Sequence, residues 1–111
     1  MGKASESSEK HEEAYEIEWT NTARRSLNQI VDCIAQDKPL AAENFRQEVI
    51  GKVGLLKKAP QLGRMVPEFG NPMRRELLYG NYRIIYRLQP KLKKIQITVV
   101  WHGKRLLRFS W

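Results

Sequence analysis

The sequence predicts an α+β fold, with a helical hairpin packed on one face of a mainly antiparallel twisted sheet, in the order β-α-α-β-β-β. Three features of the chain point there. Apolar and polar residues alternate in one short stretch near the N-terminus and in further stretches of the C-terminal half. Between them lie two stretches whose apolar residues fall three and four positions apart, the helical spacing. Turn signals built from Pro, Gly, Asn and Asp separate these stretches. At 111 residues, the chain is long enough for one compact domain and too short for two. Residues 14–111 are expected to form that domain, behind a polar tail at 1–13.

The tail, MGKASESSEKHEE, has no apolar periodicity and reads as disordered. In AYEIEW, Tyr15, Ile17 and Trp19 alternate with Glu16 and Glu18, which predicts a first strand with one buried face. Thr20 and Asn21 follow, short side chains able to accept from the free N–H groups that open a helix. Ala23, Leu27, Ile30, Val31 and Ile34 place that helix at about Thr22 to Gln36, with Cys33 near the edge of the stripe as a structural thiol. Asp37-Lys38-Pro39 breaks it, and Pro39 suits the first turn of a second helix. Ala42, Phe45, Val49, Val53 and Leu56 form the second stripe, ending before Ala59-Pro60. Gly51 and Gly54 either weaken this helix or allow close packing.

Residues 60–72 are rich in Pro and Gly and predict an ordered loop. A strand over 73–79 leads through Gly80-Asn81, a two-residue turn signal, into a strand over Tyr82–Leu88. Gln89-Pro90-Lys91 turns again, and Lys94–Trp101 is the most strand-like stretch of all. Leu107, Phe109 and Trp111 alternate in the last residues and suggest a short edge strand.

Charge is distributed unevenly. The chain holds 20 Lys and Arg against 12 Asp and Glu, for a net charge of +8. Residues 60–111 carry eleven of the bases and only Glu68 and Glu76 as acids. A near-neutral half joined to a strongly basic one points to a working face for an acidic partner. No apolar run approaches the roughly 20 residues of a membrane helix, and the polar, acidic N-terminus does not read as a secretory signal. A single cysteine excludes an internal disulfide and a cysteine-rich zinc site, and a cytoplasmic protein without a membrane partner is the simplest reading. One of the two histidines, His11, lies in the tail, and no phosphate-binding glycine loop precedes a helix. No metal or cofactor is expected.

Strict alternation assigns side chains to faces. Tyr82, Ile84, Tyr86 and Leu88 are expected to pack on the helices, as are Ile95, Ile97, Val99 and Trp101. The open face would then collect Arg74, Glu76, Leu78, Arg83, Ile85, Arg87 and His102, with Lys104 and Arg105 just beyond. Arginine forks bind phosphate or carboxylate bidentately, and histidine moves protons near neutral pH. Such a set could hold a phosphodiester and stabilise charge developing on it.

Four segments, in order, resemble the RelE/ParE superfamily of toxins from toxin–antitoxin pairs: IEWTNTARRSLNQIVDCIAQDKPLAAENF, LLKKAPQLGRMVPE, RRELLYGNYRIIYRL and ITVVWHGKRLL. The resemblance spans about residues 14–108. It implies a small cytoplasmic toxin neutralised by a cognate antitoxin in a hetero-oligomer, with the same β-α-α-β-β-β topology. RelE-like members cleave mRNA in the ribosome through attack of a 2′-hydroxyl, without metal, whereas ParE-like members inhibit DNA gyrase. Arg83 and Arg105 fall where RelE-like toxins place functional arginines, and His102 would serve as acid or base. Arg74, Arg87, Lys104, Arg108 and Trp111 are the remaining candidates for binding nucleic acid or a partner. Trp111 stands roughly where the RelE-like branch uses a tyrosine, and Glu76 replaces a second basic residue. The helix junction IAQDKPLAAENF, the segment PQLGRMVPE and the motif WHGKR are similar to the ParE-like branch, so gyrase inhibition is the expected activity and mRNA cleavage the alternative.

Overall fold

Thr20 links the first strand to the first helix. In the computed structural model, which describes residues 14–103, strand β1 spans Glu16–Trp19 and helix α1 spans Asn21–Ala35. The Thr20 side chain accepts from the Ala23 N–H at 3.1 Å, and its hydroxyl lies 2.9 and 3.1 Å from the carbonyl oxygens of Ile97 and Thr98. One side chain thus caps the helix and ties its start to the sheet. Helix α2, Pro39–Gly54, follows a three-residue connection and begins on proline. It continues into a 3-10 turn at Leu55–Lys57. The expected stripe of Ala42, Phe45, Val49, Val53 and Leu56 is buried throughout. A Cβ at Gly51 or Gly54 would meet nothing within 4 Å, so neither glycine serves close packing.

The sheet has five strands in the order β1-β5-β4-β3-β2, with β2 at Arg64–Met65, β3 at Arg74–Tyr79, β4 at Tyr82–Gln89 and β5 at Lys94–His102. Strand β1 runs parallel to β5, and the other pairs are antiparallel. The two-residue β2 lies inside the stretch expected to be all loop; it pairs Arg64 with Glu76 and Met65 with Arg75. Gly80, at φ +57°, lets the β3–β4 hairpin turn in two residues. The expected strand at Leu107–Trp111 and the tail at 1–13 lie outside the described residues.

Both helices pack on one sheet face. Ala23, Leu27 and Val31 of α1 and the α2 stripe meet Leu77, Ile84, Tyr86, Leu88, Ile95, Ile97 and Val100 in the main core. The last strand departs from strict alternation. Ile85 pairs with Val99 and Tyr86 with Ile97, so Thr98 is an extra residue, a β-bulge. The buried Thr98 hydroxyl donates to the Ile85 carbonyl at 3.0 Å. Past the bulge the faces exchange. Val100 joins the helix-side core, while Val99 joins Ile85 and Val66 in a small cluster on the other face, with Phe69 and Trp101 against it. The expectation that Val99 and Trp101 pack on the helices while His102 faces away is therefore corrected. One inserted residue inverts everything after it, because the side-chain period of a strand is two.

Candidate functional site

Cross-strand partners share a face, so the β3–β4 register brings Arg74, Glu76, Leu78, Arg83, Ile85 and Arg87 onto the open face, as expected. Their chemistry is set by two acids. The Glu76 side chain is fully buried and accepts from Arg83 Nε at 2.6 Å and from Arg64 Nε at 2.6 Å. The terminal nitrogens of Arg83 reach outward to Glu68, with Nη1 donating to Oε2 at 2.8 Å and Nη2 to Oε1 at 2.6 Å. Arg83 is thus held on two edges by two carboxylates, and its side chain is 9% exposed. A carboxylate with no exposed surface requires this pairing, because an unpaired buried charge is costly.

The ion pairs shift proton affinities in the direction their geometry demands. Hydrogen bonds from Arg83 hold the Glu68 carboxyl at about 2, below its ordinary value of 4.5. Hydrogen bonds to Glu68, and then to Glu76, push the Arg83 guanidinium further up. Glu68 sits in a short segment pinned on both sides. Val66 is fully buried and donates its N–H to the Arg74 carbonyl, while the Phe69 and Gly70 N–H groups donate back to Val66. The Arg74 guanidinium lies 5.2 Å over the Phe69 ring. Beneath this face, Arg75 donates to the Gly63 and Pro72 carbonyls.

An open cleft of about 360 Å³ lies over Arg83, lined by Arg64, Pro67, Glu68, Leu78 and Asn81 among others. His102 is elsewhere. It pairs with Tyr82 in the β4–β5 ladder, its ring 5.2 Å from the Tyr82 ring, and Tyr82 packs edge-on against Phe45 of α2. The histidine lines a groove of about 600 Å³ on the helix side, together with Ile30, Ile34 and the exposed Cys33. The structure therefore places Arg74, Arg83 and Arg87 on one face, with Arg74 opposite Arg87 and Arg83 four residues along the strand, and His102 on the opposite face. Lys104, Arg105, Arg108 and Trp111 lie outside the described residues. Among those described, no group of three or more His, Cys, Asp or Glu could hold a metal ion, and no helix is long and apolar enough to cross a membrane. The partnership of Glu68 with Arg83 went unread in the sequence. Its available signal was that residues 60–111 contain only two acids, and both converge on this arginine.

Residues 17–107 match the family model described as ParE toxin of type II toxin-antitoxin system, parDE. The chain belongs to the ParE toxin family. Among solved structures, this ParE-family chain is similar to the chromosomal ParDE toxin–antitoxin system from P. aeruginosa, with a TM-score of 0.67 and 22% identity over 81% of this chain and 97% of that one. It is also similar to the RelBE2 toxin–antitoxin complex from Mycobacterium tuberculosis, with a TM-score of 0.54 and 23% identity over 80% of this chain and 91% of that one. Both likenesses bear on the fold, two helices on a mostly antiparallel five-stranded sheet. No curated protein matches the chain.

Proposed function

We propose that this ParE-family toxin arrests growth by binding and inhibiting DNA gyrase, and that a cognate antitoxin neutralises it. The observation that supports gyrase over messenger RNA is the double carboxylate clamp on Arg83. Cleavage of a phosphodiester without a metal needs a base, an acid and a charge-stabilising group converging on one phosphate. Here the central arginine already holds two carboxylates, and His102 lies across the sheet from it. Among the described residues, Arg74 and Arg87 on the open face then serve as charge for a protein surface. An antitoxin partner agrees with the two structural neighbours, both parts of toxin–antitoxin systems.

The test is a paired assay on one preparation of antitoxin-free protein. One arm is translation in vitro with primer extension on the message, and the other is gyrase supercoiling with a cleavage-complex readout. Intact message with inhibited or trapped gyrase is the expected result. New message ends that vanish in Arg83→Ala would overturn the proposal and make the chain a ribosome-dependent nuclease of the RelE type.

A further inference from the structure

We propose that Arg83 is a carboxylate receptor for an acidic segment of a partner protein, and that Glu68 occupies it until the partner's carboxylate takes its place. The inference deepens the reading above in one respect: it rests on the open face serving a protein.

The arginine has two separate tasks. Its Nε is committed inward to Glu76, which has no exposed surface and stays with the sheet. Its Nη1 and Nη2 form a fork aimed outward, filled by the two oxygens of Glu68 at 2.8 and 2.6 Å. An outside carboxylate would find that fork already held in position by Glu76, a preorganised bidentate site. Glu68 is the exchangeable member of the cluster. Its side chain is 29% exposed, against 0% for Glu76. Its backbone is fixed by the bonds between Val66, Phe69 and Gly70, so leaving requires rotation of one side chain and no loop opening.

Charge explains why Glu68 is needed in the free protein. Arg64 and Arg83 balance Glu68 and Glu76, so the cluster is neutral as it stands. Releasing Glu68 alone would leave Arg64 and the largely buried Arg83 sharing the single carboxylate of Glu76, one positive charge in excess. Arrival of another carboxylate restores neutrality, so the exchange requires a partner. The surroundings favour a polypeptide over a nucleic acid. The site's present occupant is a carboxylate in fork geometry, and the cleft wall includes Pro67 and Leu78, the latter 51% exposed. Such apolar contacts suit an acidic residue flanked by aliphatic ones. Arg64, its side chain 56% exposed, stands at the rim as a second cation.

The test uses the full chain, labelled so that the Arg83 Nε–H resonance is followed during titration. The probes are acetyl-Ala-Leu-Glu-Leu-Ala-amide, the same peptide with Gln for Glu, and inorganic phosphate. Glu68→Gln removes the internal competitor's charge and keeps its size. The Glu peptide is expected to shift the Arg83 signal in this variant at roughly tenfold lower concentration than in the wild type, with the Gln peptide silent. Thermal melting confirms that the variant is folded, and no substitution of Arg83 is required. Equal midpoints in the two proteins, or shifts that bypass Arg83, would overturn the inference. So would phosphate saturating Arg83 at lower concentration than the Glu peptide, which would reassign the fork to a phosphodiester. A wild-type chain that spares gyrase yet gives the expected titration sinks the functional reading and keeps this one.

Discussion

The two faces of the sheet are stabilised by different physics. The helix side is a continuous apolar core in which Ala23, Val49, Leu56, Ile84, Ile95 and Ile97 have no exposed surface. Among the described residues, the open side has the small cluster of Val66, Ile85 and Val99, and beside it the ionic set of Arg64, Glu68, Glu76 and Arg83. Burial of apolar area stabilises without regard to direction. Buried ions barely offset their desolvation, so they are poor stabilisers and good specifiers of one geometry. The helix side therefore holds the fold, and the open side holds an arrangement of charge.

That contrast is broken most severely at Glu76. Glu76→Ala leaves Arg83 without its inner carboxylate and is expected to cost about 3–5 kcal/mol in urea unfolding. Replacing Glu76→Leu and Arg83→Met together removes both buried charges and is expected to restore much of that stability. A double variant as unstable as Glu76→Ala would mean that the ionic set stabilises the fold in its own right, and the contrast between the faces would fail. On the helix side, Leu56→Ala empties a fully buried position and is expected to cost about 2–5 kcal/mol by the same measurement.

A smaller effect separates the apolar core from the buried Tyr86 hydroxyl within it. Tyr86 accepts from the Gly63 N–H and donates to the Pro60 carbonyl, each at 2.9 Å, and burial pushes its phenol pKa up. Tyr86→Phe leaves those two backbone groups unpaired and is expected to cost about 1–3 kcal/mol, read from the denaturation midpoint. Acid sharpens the comparison on the other face. The folded-state pKa of Glu68 is lowered from 4.5 to about 2, so its contribution is present above 4.5 and is lost as pH falls toward 2. Stability followed between pH 5 and 2 should decline less steeply in Glu68→Gln than in the wild type. The smallest change is a gain. Gly51→Ala adds a methyl group that meets nothing within 4 Å, and should stabilise α2 by about 0.5–1 kcal/mol, visible as a raised melting temperature.

Much of this was legible in the chain. Helix spacing located α1 to within a residue and the start of α2 at Pro39, with the end of its stripe, Leu56, falling in the 3-10 turn that follows, because an amphipathic stripe is a local property. The Gly80-Asn81 turn and the three residues Arg74, Arg83 and Arg87 on one face followed from strand period and a short hairpin, where register is set nearby. The helix-side position of His102 was not legible. It depends on Thr98 being bulged against β4, and a bulge is defined by the partner strand.

The sequence by itself determined the two helical stripes, the basic second half and the order of elements apart from the two-residue β2, all of which are carried by spacing and composition along the chain; four motif segments carried the resemblance to the superfamily. Only the tertiary structure decided which charges meet. Glu68 and Arg83 are fifteen positions apart, and no periodicity joins them. They are brought together by a two-residue edge strand, a segment anchored at Val66 and the register of β3 on β4. Charge pairing across a fold is a matter of distance in space, and that distance is fixed only when the strands have found their partners.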